Sequence, residues 1–433
     1  MQISELIQQA TKFYEEGDYK SALKCAEKIL KKDSKNADAL VIKGNVFYQK
    51  HQIDDSLKTY LSALETDSHH KIALINTANT YFELKDYEQS YHYIEQALKT
   101  DSYDKTALTI WGNSALELEK YDEGKEAFLR ILEQDSSDAW AYNSLSRIFQ
   151  KTEDNRRALA YGWKAVEVSG GNKDHHINFG YLLYEIGGNL TLKYATEWLE
   201  KYGQDSVVNH MGNAVLHNTK ITRAEGEYVE EIFDAFADDF EDVLKGLNYR
   251  APELISNEIK QLFEKQKISK MSILDAGCGT GFCGEFLKKY ARFKGLYGVD
   301  ISEKMIKKAA SKKVYDKLIK ADLEKFFDEN KKKFDLIVSA DVFTYLGDLK
   351  KIIEGCFKSL SKNGRILFTV SENDIDDSDY YLHPSGRFLH HQKYIEKLLQ
   401  NSGFEIIKIS KETLRLEGGK DVKGYVVNAI KKT

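Results

Sequence analysis

The sequence predicts a two-part chain, an all-α solenoid of helical repeats followed by an α/β unit built on a mostly parallel sheet. Three observations predict it. Asp-Ser recurs at Asp33, Asp67, Asp101 and Asp135, 34 positions apart each time, and a period of that length belongs to stacked helical hairpins. From Ile273 onward, short apolar runs alternate with charged runs of helical pattern, which reads as strands and helices in turn. The 433 residues, 42% hydrophobic, also exceed what one core usually serves, so two or three domains are expected.

Composition narrows the function classes. The 63 basic and 68 acidic residues leave a formal charge of -5, too balanced to predict phosphate-backbone or anionic-membrane binding. Nucleic acid is therefore not an expected partner. Cys25, Cys278, Cys283 and Cys356 form neither a disulfide framework nor a paired zinc-binding spacing, so no metal is expected. The amino-terminal MQISELIQQATKFYEEGDY is amphipathic and acidic, unlike a secretion signal, and no apolar run approaches the ~20 residues of a membrane span. A cytoplasmic protein without a transmembrane segment is expected, in which the Asn189-Leu-Thr191 sequon has no role.

The 34-residue register places a small residue at one phase: Ala10, Gly44, Ala78, Gly112, Ser146 and Gly180. A second small position follows at Ala22, Ser56, Ser90, Gly124 and Ala158, and a third apolar one at Ile29, Ala63, Ala97, Ile131 and Ala165. Helices that cross closely need small side chains where their backbones approach, with aromatics beside them, here Tyr19, Tyr60, Tyr87, Tyr121 and Phe128. These positions resemble the tetratricopeptide repeat, with five clear units from about residue 3 to 172 and a worn sixth to about 205. The family's proline is replaced by Ser34, Ser68, Ser102 and Ser136, where Asp followed by Ser is expected to stop one helix and cap the next. The resemblance implies a concave face that takes an extended peptide, and Asn45, Asn79 and Asn113 are the candidates to pair with a peptide backbone there.

In the second half the candidate strands are SILDAG, GLYGVDI, KLIKAD, FDLIVSAD, GRILFTVS, FEIIKIS and GYVVNAI. The first runs into Leu274-Asp-Ala-Gly-Cys-Gly-Thr-Gly-Phe-Cys-Gly284, in which Gly279, Gly281 and Gly284 match G-x-G-x-x-G. Such glycines let a backbone approach a ligand in either of two cofactor classes. A dinucleotide requires a pyrophosphate at the loop, which Asp275 would repel, whereas the same acid suits the cationic end of an amino-acid-bearing ligand.

The run Asp275-Ala276-Gly277-Cys278-Gly279-Thr280-Gly281 resembles the first motif of class I methyltransferases. Further matches are Asp300 with Ile301, Asp322 with Leu323, and FDLIVSADVFTYL with Ala340 and Asp341. The resemblance covers about residues 226–433 and extends, through the flanks YVEEIFDAFADDFEDVLKGLNYRAPELI and HPSGRFLHHQKYIEKLLQNSGF, to bacterial methyltransferases that carry tetratricopeptide repeats. It implies a Rossmann-like domain with a seven-stranded sheet whose last strand runs antiparallel, and S-adenosyl-L-methionine as cofactor with S-adenosyl-L-homocysteine as product. It further implies cofactor contacts from Asp275, Ala276, Gly277, Cys278, Gly279, Gly281, Asp300, Ile301, Met305, Asp322, Leu323 and Ala340, Asp300 taking the ribose hydroxyls and Asp322 the adenine amino group. The organisation that follows is a tetratricopeptide-repeat solenoid at 1–205, a capping helix and linker at 206–225, and the class I methyltransferase domain at 226–433.

Methyl transfer from a sulfonium is an in-line displacement helped mostly by positioning and exclusion of water. Where the acceptor is an amine or hydroxyl, a base must take its proton; Asp341, Tyr345 and His390 are the candidates, with His383 and His391 beside them. The segment 226–250 is expected to lid the site through Phe233, Tyr249 and Arg250. Ser339-Ala-Asp-Val-Phe343 lacks the Pro-Pro-aromatic run of enzymes that methylate base or amide nitrogens. Two readings follow: a methyltransferase for a protein or peptide recruited through the repeat groove, or one for a lipid, quinone, sugar or other metabolite whose repeats are a docking module.

Overall fold

The computed structural model describes residues 2–266, 270–417 and 419–432. Contacts divide the chain into two compact units, Met1–Phe179 and Gly180–Thr433.

The first unit is five antiparallel helix pairs, running from Ile3–Glu15 with Tyr19–Leu30 to Ala139–Lys151 with Asn155–Val168. The small residues sit where the periodicity put them, and the glycines among them have a steric reason. A Cβ on Gly44 would stand 2.4 Å from the Tyr60 ring, and one on Gly112 would stand 2.7 Å from that of Phe128. Ser56 Oγ donates to the Gly44 carbonyl at 3.0 Å, so the close approach also satisfies a buried hydroxyl. Within each pair the connection turns through one left-handed residue, at Gly17, His51, Lys85, Glu119 and Glu153, again one per repeat.

The Asp-Ser pairs act differently from expectation. Asp33, Asp67, Asp101 and Asp135 each accept from the amide two residues on, at Lys35, His69, Tyr103 and Ser137. The caps come from the residue that directly precedes each following helix: Asn36, His70, Asp104 and Asp138. The serine hydroxyl is too short to reach past its own turn, so the acid fixes the bend and a separate side chain closes the helix, at roughly 1 kcal/mol per cap.

The second unit carries a nine-stranded mixed sheet: β1 Met271–Ala276, β2 Ala291–Asp300, β3 Lys317–Lys320, β4 Phe334–Ser339, β5 Leu360–Glu372, β6 Tyr380–Leu382, β7 Phe388–His390, β8 Phe404–Glu417 and β9 Lys420–Lys431. The parallel part has the order β3-β2-β1-β4-β5. The last strand, β9, lies antiparallel between β5 and β8, as expected. All seven expected strands form. The two additional ones, β6 and β7, make a hairpin whose second strand joins the end of β5 at Ser371 and Glu372. Every residue of β1 is buried, because the central strand has helices on both faces and reads as a continuous apolar run.

Helices Asn189–Tyr202 and Ser206–Val215, assigned from sequence to the last repeat and its cap, pack within this second unit. Met211 Sδ accepts from the Tyr228 hydroxyl at 3.2 Å, and Ala214 packs with Leu382 and Phe388 of the hairpin. An apolar face that no further repeat covers is thus covered by the sheet unit.

Candidate functional site

The glycine loop joins β1 to helix Phe282–Leu287 through three left-handed glycines, Gly277 (φ +81°), Gly279 (φ +52°) and Gly281 (φ +89°). A side chain is costly at such angles, and at Gly277 a Cβ would also stand 2.2 Å from Val342. The turn brings the Gly279 amide to Asp300 Oδ2 at 2.8 Å, while the Ser302 amide donates to Oδ1 at 2.9 Å. Burial raises the Asp300 carboxyl and these amides oppose the rise. Asp275 lies 1% exposed and accepts from the Tyr315 hydroxyl at 2.6 Å. Burial pushes its carboxyl up to about 7, against the Tyr315 bond and with the help of the Asp300 charge.

In front of the loop lies a cavity of about 1000 Å³, its open mouth included. Gly277, Gly279, Asp300, Ile301, Asp322, Leu323 and Ala340 line it. Asp275, Ala276, Cys278, Gly281 and Met305 are buried but do not line it; they support the loop, and burial pushes the Cys278 thiol far up. Val229, Phe233, Phe240, Leu244 and Tyr249, from the segment expected to lid the site, form an apolar side of it. Arg250 is directed elsewhere, its guanidinium donating to the Thr413 carbonyl at 3.5 Å.

Two arginines outside the sequence motifs join the wall, Arg223 and Arg387. Arg223 meets Asp322 at 2.8 Å and Glu324 at 2.7 Å. Asp322 Oδ1 meanwhile caps helix Leu323–Glu329, accepting from the Glu324 and Lys325 amides. Asp341, also on the wall, holds a left-handed backbone (φ +57°) and both its oxygens face Arg415 Nη1, at 3.0 and 3.1 Å. Arg415 Nε reaches Glu417 at 2.7 Å, and Glu417 also takes Arg387. Burial would raise the Glu417 carboxyl, but the two guanidiniums hold it below the ordinary range.

The candidate bases separate. Asp341 and Tyr345 line the cavity. His390 does not: it is fully buried, and its Nε2 donates to the carbonyls of Leu346 at 2.8 Å and Gly347 at 3.1 Å. Burial pushes it down to about 4 against those carbonyls, so it is a neutral packing residue. His383 Nδ1 bonds Ser385 Oγ at 2.9 Å, and His391 caps helix Gln392–Asn401. Both therefore have structural work, and neither is on the wall.

In the repeat unit, Asn45 and Asn79 line a smaller cavity of about 400 Å³ together with Tyr14, Tyr48, Gln49, Tyr60 and Asn76. Asn45 Oδ1 accepts from Tyr60 and from Asn76, each at 2.7 Å, and Asn79 donates to Tyr48 at 2.9 Å. Their remaining amide groups are the ones a guest could use. Asn113 does not line this cavity.

Comparison with known proteins matches residues 247–409 to a methyltransferase domain family, residues 7–70 to the tetratricopeptide repeat, and residues 49–131 to the anaphase-promoting complex, cyclosome, subunit 3 family. Over 143 residues the chain is 34% identical to malonyl-(acyl-carrier protein) O-methyltransferase of Priestia megaterium, covering 33% of this chain and 47% of that protein. Over 110 residues it is 31% identical to the uncharacterized methyltransferase YdaC of Bacillus subtilis, covering 25% of this chain and 60% of that one. Among solved structures, magnesium protoporphyrin IX methyltransferase of Synechocystis with bound S-adenosylhomocysteine aligns with 48% of this chain and 100% of its own, at 16% identity and a TM-score of 0.39. The chain spans about half the length of the curated relatives it matches. No helix among the described residues is long and apolar enough to cross a membrane. Residues 7–70 thus match the tetratricopeptide repeat and residues 247–409 a methyltransferase domain, and the β3-β2-β1-β4-β5 order lies within that second stretch.

Proposed function

We propose that the cavity of the second unit holds S-adenosyl-L-methionine and that the protein methylates a protein or peptide recruited through the repeat groove. The observation that carries the cofactor reading is the charge of the wall. Four carboxylates, Asp300, Asp322, Glu324 and Asp341, line the cavity together with Gly277 and Gly279, and among the described lining residues the cations, Arg223 and Arg387, are both paired with acids. Such a wall repels a pyrophosphate and attracts a ligand bearing a sulfonium and an ammonium. When bound, that cofactor supplies an electrophilic methyl group.

The residues divide the remaining tasks. Asp300, pinned by two amides, presents its free lone pairs to ribose hydroxyls; Ile301 and Leu323 offer apolar surfaces to the adenine. Gly277 and Gly279 keep the loop thin enough for close approach. Phe233, Phe240 and Leu244 exclude water, which strengthens every charge interaction inside. The four cysteines are free thiols, in keeping with work in the cytoplasm, and the near-balanced charge gives no reason to propose a nucleic-acid partner.

Peptide recruitment is supported by the cavity that contains Asn45 and Asn79 in the repeat unit. The apolar side of the cavity, formed by Val229, Phe233, Phe240, Leu244 and Tyr249, favours the second reading, a small-molecule acceptor with the repeats as a docking module. The two are told apart by tritiated-methyl labelling of a lysate with the full chain and with Asn45→Ala/Asn79→Ala/Asn113→Ala. Label in a protein band that the triple substitution removes supports the first reading. Label in the extractable small-molecule fraction, unchanged by the substitution, overturns it in favour of the second.

A further inference from the structure

Arg387 and Tyr345 also line the cavity, and there the wall offers hydrogen-bond donors to a negative group. Arg387 follows Gly386, whose left-handed backbone (φ +78°) turns the β6–β7 hairpin. That turn is fixed from outside: His210 Nε2 donates to the Gly386 carbonyl at 2.8 Å, and a Cβ on Gly386 would stand 2.6 Å from the Tyr228 hydroxyl. The Arg387 side chain, 23% exposed, is thus held on a rigid support beside the cavity. A guanidinium carries five N–H donors in a planar fork. Here its acidic partner, Glu417, is shared with Arg415, and Arg415 also takes both oxygens of Asp341. Tyr345 lines the same wall, and its hydroxyl has no hydrogen-bond partner among the described residues.

Among the described lining residues every carboxylate already has a partner, so none stands free as a base for an acceptor's proton. Asp341 is bound to Arg415. Asp322 and Glu324 are bound to Arg223, and Asp300 is held by the Gly279 and Ser302 amides. An amine or alcohol would need such a base. A carboxylate needs none, because it arrives ionised at neutral pH.

We propose that the methyl acceptor is a carboxylate, held by the Arg387 guanidinium and the Tyr345 hydroxyl, and that the product is a methyl ester. The proposal rests on the methyltransferase reading above and names the chemistry of its acceptor. One carboxylate oxygen forms the new O–CH3 bond as the S–CH3 bond of the donor breaks, and the sulfur keeps that electron pair as a neutral thioether. No proton moves, and the acceptor's negative charge and the donor's positive charge cancel. The carboxylate belongs either to a small apolar acid or to a glutamyl side chain of a peptide.

The test is calorimetric titration of the full chain, loaded with S-adenosylhomocysteine, with four probes: octanoate, octanamide, an acetylated pentapeptide containing one glutamate, and its glutamine counterpart. The expected result is that octanoate or the glutamate peptide binds at least about tenfold tighter than its amide, the worth of one charge-assisted pairing; whichever acid binds identifies the source. Arg387→Gln should abolish that preference with S-adenosylhomocysteine affinity unchanged, and Arg387→Lys should keep part of it. Equal binding of acid and amide, a preference that survives Arg387→Gln, or no acid binding at millimolar concentration overturns the proposal. Failure of S-adenosylhomocysteine itself to bind would instead bring down the methyltransferase reading, and this one with it.

Discussion

The loop is supported from behind by a carboxyl that folding makes hard to ionise, and this has a measurable consequence. Asp275 is 1% exposed and its carboxyl rises from 3.8 to about 7 in the folded chain. Between those values the folded state keeps a proton that the unfolded chain has released. Stability from this group is therefore full below pH 3.8, falls as pH rises toward 7, and stays low above it. At about 1.4 kcal/mol per pH unit, the whole fall is ~4 kcal/mol, and the part between about pH 5.5 and about pH 8 is ~2 kcal/mol. Asp275→Asn removes the titration while keeping a carbonyl to accept from Tyr315. The stability of Asp275→Asn relative to the natural protein should accordingly increase by ~2 kcal/mol from about pH 5.5 to about pH 8. Hydrogen exchange of the β1 amides, corrected for intrinsic rates, reads this opening free energy without assuming that the two units unfold together. A difference that stays constant across that range, or shrinks, would refute the reasoning.

Two further substitutions separate chemistry from support. His390→Leu should lower the stability of the second unit by ~1 to 3 kcal/mol, because it strands the Leu346 and Gly347 carbonyls, yet leave the methyl-transfer rate and its pH profile unchanged; urea unfolding and single-turnover labelling check the two halves. Asp300→Asn should weaken S-adenosylhomocysteine by ~1.5 to 3 kcal/mol, about tenfold to a hundredfold, through lost charged hydrogen bonds, measured by titration at fixed salt.

The legible part of this protein is the part set by local periodicity. A small residue every 34 positions identifies where helices cross, since Gly44 and Gly112 have no room for a Cβ beside Tyr60 and Phe128. Seven apolar runs identify seven strands, most clearly β1, which is buried throughout and therefore apolar on both faces. Asp300 is found because it ends one such strand next to a glycine loop. What escaped is assembled across long distances in the chain. Arg387, Arg415, Glu417 and Asp341 come from a hairpin, a long strand and a loop that only the fold brings together, and no spacing announces them. The β6 and β7 strands have three residues each, around Pro384 and polar positions, too short for alternation to register. His390 looked like a base by residue type; a side chain's burial, which here makes it neutral and structural, is a property of the packed sheet. The caps at Asn36, His70, Asp104 and Asp138 lie three residues beyond the repeated Asp, at a position where the residue type varies from unit to unit and no repeat marks them.

The central claim is that an acid-lined glycine loop holds a cationic sulfur nucleoside and not a dinucleotide. Calorimetry of the full chain against S-adenosylmethionine and against NADH tests it most directly. The account predicts saturable one-to-one binding of S-adenosylmethionine and no heat from NADH. Tight NADH binding with none of the sulfonium compound would contradict it.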